Sequence, residues 1–481
     1  MEYVFCCTLN FCNSLECAVV SLISHISFKR RFNKFLLLFF FLFTISGLSA
    51  TNQNGFHSEL FNEQGRVNQI GDGRGTLVLV GGGLYPELVE VFDALKAYLD
   101  QSNNVFSRGQ KKARVGVICS AKASFADAED AFYNDDPESP VEFPSYKNLF
   151  SQKGFEPVFI PITIDRISGN YDSAESPENA SLIRSCEILY FIGGDQAKVL
   201  RCFVRSDGRD SEAMKAVKEV YRAGGIIMGS SAGMHVMSKT MFGWGESYET
   251  LKINQLETRE VADVPLNGDS VYPSKRNNSI IMPGFGLLPD GILTDTHFDS
   301  RGRLGRLAAG MRDTKQNTGI GVDVSTTLFI EDGMGKVIGR RGVFILIAGN
   351  QSFPEKSGFF KAEKISANYL TSGDTFMIDT GEFFSSKKAV SSTSLPIKPS
   401  SDIFSEELDS EGKRKNQYQG TFVLKDFIRC SKQNVRSKSF QNNPEFYLEF
   451  SKTPESKAFY ESDSLFSAFN IQMTINSSKE R

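Results

Sequence analysis

The chain repeats one short pattern: an apolar strand-like run, a turn of small residues, and a helix-like stretch. Thr76–Val80 is followed by Gly81-Gly82-Gly83, and Ile188–Ile192 is followed by Gly193-Gly194. Apolar strands that alternate with amphipathic helices are typical of a parallel sheet covered on both faces. We therefore predict an α/β fold with a mostly parallel sheet, helices on both of its faces, and a β-rich part that follows Asp323.

A third strand-like run, Gly225–Met228, leads into Gly229-Ser230-Ser231-Ala232-Gly233 and so into the pattern Gly-x-Ser-x-Gly. In enzymes with this pattern the serine lies at a sharp strand-to-helix turn, the nucleophile elbow, where its hydroxyl is exposed. Glycines on either side let the backbone turn tightly. Small-residue turns are common without activity, so the motif alone leaves a structural role open. The preceding strand favours Ser231 as a nucleophile, provided that the chain also supplies a base.

The chain contains four histidines as candidate bases. His25 and His57 lie near the N-terminus, in a leader-like and a polar stretch. His235 follows Ser231 by one helical turn, where we expect it to pack against the sheet. His297 follows the apolar run that ends in Asp295, an arrangement that can present an imidazole beside a neighbouring elbow. A lone histidine is usually structural, but the guanidinium groups that follow favour His297 as the base; they belong to Arg301, Arg303 and Arg306.

Ligands of parallel sheets bind at the carboxyl ends of the strands. The strands that end at Gly81, Gly193 and Gly229 should therefore share one cleft with His297.

Five segments together resemble the cyanophycinase family and the related aspartyl dipeptidases, which are serine peptidases with a class I glutamine amidotransferase-like, flavodoxin-like fold. The segments are Gly81-Gly82-Gly83, Phe191–Gln196, Gly229–Gly233, Asp295–Phe298 with the three arginines, and Gly319–Asp323. They occur in the family's order and at similar spacing, over roughly residues 74–380. This combination is much more specific than the elbow motif alone.

By matching position, the resemblance implies that Ser231 is the nucleophile and His297 the general base. Backbone N–H groups of Gly194 and Ala232 would hold the oxyanion. The family's third catalytic residue is an acid shortly after the nucleophile; both Glu246 and Glu249 stand near that place, and Asp323 is a further candidate. The resemblance implies a substrate-binding role for seven residues: Gln196, Asp295, Thr296, Arg301, Arg303, Arg306 and Asp323.

A physical argument independent of the resemblance also favours the three arginines as binding residues for an acidic substrate. A guanidinium pairs with a carboxylate through two hydrogen bonds, which suits an aspartyl substrate. The alternative is a helix whose arginines pair with acids on the protein surface, which we expect for at least one of the three. Two positions depart from cyanophycinase: Val324 replaces a glutamate suited to a basic side chain, and Thr296 replaces a glutamine. The polymer cyanophycin is therefore left open as a substrate.

The sequence thus predicts a serine-type exopeptidase or dipeptidase that hydrolyses small aspartyl peptides, β-aspartyl peptides included, through a Ser-His-acid triad. One alternative is a catalytically silent binding protein on the same fold. Another is an α/β-hydrolase-type esterase, although such enzymes usually place their histidine farther downstream. No Cys/His cluster has zinc spacing, so we predict neither metal nor cofactor. The net charge of −3 gives no reason to expect a nucleic-acid partner, and a homodimer is left open by analogy with related enzymes.

The N-terminus has the features of a targeting segment. Basic residues 29–34 precede the 14-residue apolar run Phe35–Leu48, which is shorter than the about 20 residues of a membrane-spanning helix. We predict a signal peptide or leader over residues 1–50, and a secreted or secretory-lumen protein with no stable span after cleavage. An uncleaved signal anchor is the alternative. The remaining divisions are a polar segment (51–73), a peptidase domain (74–384), and a polar linker with a C-terminal extension (385–481).

Overall fold

The computed structural model describes residues 75–101, 112–135, 143–168, 171–274, 278–390, 393 and 395–478. The predicted leader and polar N-terminal segment lie outside these residues. The helices in the described part are α1 Val89–Gln101, α2 Phe125–Tyr133, α3 Tyr146–Gln152, α4 Pro177–Arg184, α5 Gln196–Phe203, α6 Glu212–Arg222, α7 Ala232–His235, α8 Ser247–Ile253, α9 Leu304–Thr314 and α10 Gln419–Arg429.

The strands are β1 Thr76–Val80, β2 Arg114–Ile118, β3 Glu156–Ile160, β4 Ile167–Ser168, β5 Tyr171–Asp172, β6 Ile188–Phe191, β7 Ile226–Ser230, β8 Thr240–Trp244, β9 Glu257–Thr258, β10 Ile280–Pro283, β11 Ile292–Asp295, β12 Thr318–Val322, β13 Thr326–Glu331, β14 Met334–Gly339, β15 Gly342–Ile347, β16 Ala362–Thr371, β17 Thr375–Met377, β18 Phe383–Phe384, β19 Asn434–Lys438, β20 Phe446–Ser451, β21 Lys457–Tyr460 and β22 Phe466–Ser477.

The first sheet has nine strands in the order β18-β17-β14-β13-β1-β7-β6-β2-β3. Its five strands from β1 to β3 are parallel to their neighbours, and the four beyond β1 are antiparallel. β1 and β7 are buried along their whole length, as expected for strands covered on both faces. The parallel arrangement brings the carboxyl ends of β1, β6 and β7 to one edge of the sheet.

Helix α6 shows how local sequence sets the ends of these elements. Ser211 caps its first turn by accepting a hydrogen bond from the N–H of Met214. Gly224, at φ +92°, follows its last turn, in a conformation that costs glycine little. These two local signals account for a helix that spans Glu212–Arg222.

A second sheet runs in the order β11-β12-β15-β16-β22-β20-β19, with β21 on the other part of β22. β11 and β12 are parallel, and β15, β16 and β22 continue the sheet as antiparallel strands. The strands after residue 395 thus extend a sheet that begins before residue 300. The region expected to be a polar linker and extension contains four paired strands and helix α10, and its apolar side chains join one buried cluster with those of β15 and β16.

The structure confirms a mixed α/β fold with a largely parallel sheet in its N-terminal part and a β-rich C-terminal region. The four cysteines outside the predicted leader, Cys119, Cys186, Cys202 and Cys430, are buried free thiols. Among the helices described, none has the length and apolar character needed to cross a bilayer.

Candidate active site

Ser231 occupies a strained turn between β7 and α7. Its φ is 52° and its ψ is −110°, a conformation rare for a residue with a side chain. The N–H of Ser231 donates to the carbonyl of Val80 at 3.0 Å, which fixes the turn to β1. A β-carbon on Gly233 would lie 2.1 Å from the carbonyl oxygen of Phe191. Only glycine fits there, so the motif's last glycine lets α7 pack directly on the sheet.

The imidazole of His297 lies against the hydroxyl of Ser231. Nε2 of His297 is 2.8 Å from Oγ of Ser231, a hydrogen-bonding distance. The N–H of His297 donates to the carbonyl of Gly81 at 2.8 Å, so the end of β1 holds both residues. A β-carbon on Gly82 would lie 2.4 Å from the His297 ring, which explains a glycine at that position.

The surroundings of His297 keep its imidazole neutral. Burial, with smaller contributions from Arg301 and Arg303, lowers the pKa of His297 to about 3. A neutral imidazole can accept a proton through Nε2, which a charged one cannot. A neutral imidazole at this distance is able to accept the proton of the Ser231 hydroxyl.

Two backbone N–H groups near Ser231 have no partner in the described part of the chain: those of Gly194 and Ala232. Ala232 is the first residue of α7, where N–H groups lack partners within the helix. The loop after β6 lies against the serine, since a β-carbon on Gly193 would be 3.3 Å from the Ser231 β-carbon. These donors are the ones that the sequence predicts for an oxyanion.

Ser231 and His297 open into a cleft of about 560 Å³. Its lining includes most of the predicted site residues: Gly194, Gln196, Ser231, Glu246, Thr296, His297, Arg301, Arg303 and Arg306. The amide nitrogen of Gln196 donates to the carbonyls of Phe242 and Gly243, at 2.8 and 3.0 Å, so this side chain also ties β8 to the cleft.

Asp295 does not line the cleft but lies fully buried behind it. Its carboxylate accepts hydrogen bonds from Arg303 at 3.2 Å and from Nε of Arg306 at 2.9 Å. Burial alone would raise the pKa of Asp295, but Arg306 and Arg303 outweigh it and lower the pKa to about 2. Asp295 is thus the ionised partner of two buried arginines, which pair with an acid of the protein as expected, but with a buried one rather than a surface one.

Arg301 differs from the other two arginines. It is exposed and lines the cleft, and among the described residues its side chain makes no hydrogen bond or ion pair. A guanidinium without a protein partner, beside Ser231, is available to a ligand's carboxylate.

The three candidate acids lie in different environments. Glu246 lines the cleft, with Oε1 2.8 Å from Nη2 of Arg414. Glu249 is outside the cleft, 3.9 Å from Lys252. Asp323 is buried outside the cleft, and burial together with Asp299 raises its pKa to about 7. Within the described residues, no carboxylate accepts a hydrogen bond from His297.

Thr296 and His235 form a pair on the cleft wall. The Thr296 hydroxyl is 3.0 Å from Nε2 of His235, and burial lowers the pKa of His235 to about 3. His235 therefore packs below the serine, as expected, and does not reach its hydroxyl.

Two cleft residues were missed by the sequence reasoning. Lys198 is buried on α5 with its Nζ 3.6 Å from Asp195, and it was overlooked although it follows Gln196 by two positions. Trp244 is the only tryptophan of the chain. It is 44% exposed at the cleft and makes an edge contact with Tyr272 at 5.6 Å between ring centroids. Its position between two glycines was a signal that could have drawn attention to it.

Within the part of the chain that is described, no group of three or more His, Cys, Asp or Glu side chains is placed to hold a metal ion.

Comparison with known proteins gives related sequences but no matching protein-family model. A cyanophycinase from Trichormus variabilis is 29% identical over 203 residues, which cover 42% of this chain and 57% of the relative. A cyanophycinase from Synechococcus elongatus is 26% identical over 242 residues, which cover 49% and 65%. The match thus spans less than two thirds of either relative.

Two solved structures show weaker similarity. A peptidase from an acI-B1 Actinobacterium has a TM-score of 0.40 and 19% identity, covering 64% of this chain and 98% of that one. A putative peptidase E protein from Listeria monocytogenes has a TM-score of 0.32 and 14% identity, covering 55% and 98%. At these scores the structures add nothing to the sequence relationship. On that relationship, the chain is a distant homologue of the cyanophycinases.

Proposed function

We propose that this protein is a serine-type peptidase that hydrolyses small peptides containing aspartyl residues. The observation that carries the proposal is the 2.8 Å contact between Ser231 Oγ and His297 Nε2, formed at a strained turn that opens into a cleft. The homology to cyanophycinases supports the same class of reaction at modest identity.

In the proposed reaction, Oγ of Ser231 attacks the carbonyl carbon of the peptide while Nε2 of His297 takes the hydroxyl proton. The N–H groups of Gly194 and Ala232 stabilise the negative charge that forms on the carbonyl oxygen. When the C–N bond breaks, His297 gives the proton to the leaving amine. A water molecule then loses a proton to His297 and attacks the acyl group, which releases the acid and restores Ser231.

The acidic member of the proposed triad is Glu246, the candidate that shares the cleft with Ser231 and His297. Its carboxylate is held by Arg414 rather than by His297. In this arrangement Glu246 acts through the electrostatic field of the cleft, where its negative charge favours the imidazolium that forms during the reaction.

The charges of the cleft favour an acidic substrate. Among the described residues Arg301 has no hydrogen-bond or ion-pair partner, whereas Lys198, which also lines the cleft, is paired with Asp195. Arg303 and Arg306 both pair with the single carboxylate of Asp295. Arg301 is therefore the guanidinium most available to a substrate carboxylate. Either an aspartyl side chain or a terminal carboxylate can pair with it.

The test is release of amines from a panel of α- and β-aspartyl dipeptides by the chain and by its Ser231→Ala variant. Ser206→Ala, in an exposed turn, is the matched control. We expect turnover by the chain and the control, and a loss of about 10³-fold or more in kcat for Ser231→Ala. Turnover that survives in Ser231→Ala, or no turnover by the folded chain, would contradict the proposal; the second result would favour a catalytically silent binding protein.

A further inference from the structure

Glu246 is near two arginines that come from well-separated segments of the chain. On one side is Arg301, which lines the same cleft. On the other is Arg414, whose Nη2 is 2.8 Å from Oε1 of Glu246. Arg414 belongs to residues 402–421, here named the C-terminal arm. The glutamate thus has two candidate cations and is paired with the one outside the cleft.

Hydrogen bonds within the arm hold Arg414 in place. Its Nη1 donates to the carbonyl of Ser405 at 2.8 Å. Asp402 accepts from the N–H groups of Glu406 and Glu407, at 2.8 and 3.0 Å, which closes the loop that carries Ser405. Only 19% of the Arg414 side chain is exposed. Arg414 is therefore a fixed cation.

The arm is also bound to the two segments that carry the site. The N–H of Tyr248, two residues after Glu246, donates to Glu406 at 3.3 Å. At the other end of the arm, the N–H groups of Gly420 and Thr421 donate to the buried carboxylate of Asp299, at 3.1 and 2.6 Å. Asp299 follows His297 by two residues. The arm therefore contacts both sides of the cleft.

Glu246 is able to take a second partner. Its side chain is 39% exposed, and its buried Oε2 has no hydrogen-bond partner among the described residues. Desolvation by the protein atoms around the cleft lowers the pKa of Arg301, and the negative charge of Glu246 opposes that lowering. If Arg414 were lost, Arg301 would be the cation that shares the cleft with Glu246 and has no partner in the described part of the chain. Pairing with Glu246 would then remove the guanidinium that faces the ligand.

We propose that Arg414 is a positioning residue that determines the anion selectivity of the cleft, because it holds Glu246 and so keeps Arg301 free for a substrate carboxylate. The inference rests on the proposed function for the identity of the ligand. The availability of Arg301 does not depend on turnover and can be measured by itself.

The first test is the rate at which phenylglyoxal, a dicarbonyl reagent for free guanidinium groups, modifies Arg301, followed by peptide mapping. We expect Arg414→Gln to slow modification of Arg301 by about 5-fold, the size of one solvent-accessible ion pair. Arg414→Lys should recover most of the rate. The double variant Arg414→Gln with Glu246→Gln should recover all of it, because no carboxylate is left to capture Arg301.

The matched control is Lys413→Gln, which removes a neighbouring cation that is 75% exposed and pairs with Glu411 outside the cleft. It should leave the modification rate unchanged. An unchanged rate in Arg414→Gln would overturn the inference. The inference would also be overturned if Arg301 were modified as slowly in the double variant as in Arg414→Gln. In that case Glu246 would not cause the slower modification, and a general disturbance of the arm would explain it.

The second test is binding of α- and β-aspartyl-glycine to the Ser231→Ala chain, followed by the fluorescence of Trp244, the single tryptophan in the cleft. We expect Arg414→Gln to weaken binding by about 5-fold and the double variant to restore it. Asparaginyl-glycine, which lacks the side-chain charge, should show a smaller change. If Arg301 modification responds as expected but no dipeptide binds, the proposed substrate class fails and the role of Arg414 stands. If Arg414→Gln weakens binding of asparaginyl-glycine as much as binding of the aspartyl dipeptides, the proposed selectivity is overturned.

Discussion

Ser231 follows β7 of the first sheet and His297 follows β11 of the second, whereas Arg414 and Glu406 come from loops more than a hundred residues further along the chain. The first pair is held by backbone contacts to β1, through Val80 and Gly81. The arm residues reach the same cleft because β19 to β22 extend the sheet that begins with β11 and β12. The comparison teaches that the reactive pair depends on local turns, while the charge around it depends on long-range pairing.

The largest effect should follow from removing the C-terminal region. A chain that ends at residue 384 loses β22, which pairs with both β16 and β20, and the buried side chains of Phe446, Phe450 and Ile471. Each such side chain contributes about 1.5–3 kcal/mol on burial, against a total stability of about 5–15 kcal/mol. We expect no cooperative thermal unfolding, whereas a chain ending at residue 478 should unfold cooperatively. A soluble, cooperatively folded 1–384 chain would show that the two regions are independent.

The next largest effect is on the free energy of unfolding, which should fall more when the buried ion network is broken than when a surface ion pair is broken. Asp295→Ala leaves Arg303 and Arg306 buried without their shared carboxylate, which should lower the free energy of unfolding by about 3–5 kcal/mol. Asp290→Ala, at the other end of β11, breaks a pair with Lys239 whose side chains are 39% and 60% exposed, and should cost about 0–1 kcal/mol. Urea unfolding measures both. Equal costs would mean that Asp295 is not the partner that holds the arginines.

The sequence was sufficient to predict local turns and strands, but it was insufficient to predict which distant side chains and strands contact one another. The elbow, His297 and the strand Thr76–Val80 follow from short apolar runs and small-residue turns, which depend on neighbours in sequence. The three arginines could not be ranked, because Arg301 differs from Arg303 and Arg306 only in whether its side chain reaches Asp295.

The polar stretch after residue 384 concealed strands whose partners lie far away in sequence, such as β22 beside β16. Alternation in β20, with Phe446, Leu448 and Phe450 buried, was visible as an apolar patch. The strand against which this patch packs could not be predicted from the sequence, because the register between strands depends on the tertiary structure.

The smallest expected effect is in the pH profile. Because burial lowers the pKa of His297 to about 3, its imidazole stays neutral and kcat/KM should change by less than about 2-fold from pH 8 to pH 5; a base with the usual pKa of about 6.5 would lose roughly 30-fold. Below about pH 6.5 the unfolded chain takes up a proton at His297, whereas the folded chain does not. The free energy of unfolding therefore decreases as the pH falls from about 6.5 toward 3.

Asp323→Asn is the control for that profile, because it removes a carboxyl whose pKa is raised to about 7 by burial and by Asp299. A change near pH 7 that disappears in this variant belongs to Asp323. A loss of activity through pH 6.5 that persists in it would contradict the neutral state of His297.

The central claim is that Ser231 is an activated nucleophile. The most direct measurement is the rate at which a fluorophosphonate, which reacts only with activated serines, labels each serine of the folded chain, with peptide mapping to locate the adduct. We predict labelling at Ser231 that is unchanged in Ser206→Ala and falls by about 10³-fold or more in His297→Ala. No labelling at Ser231, or an equal rate without His297, would contradict the account.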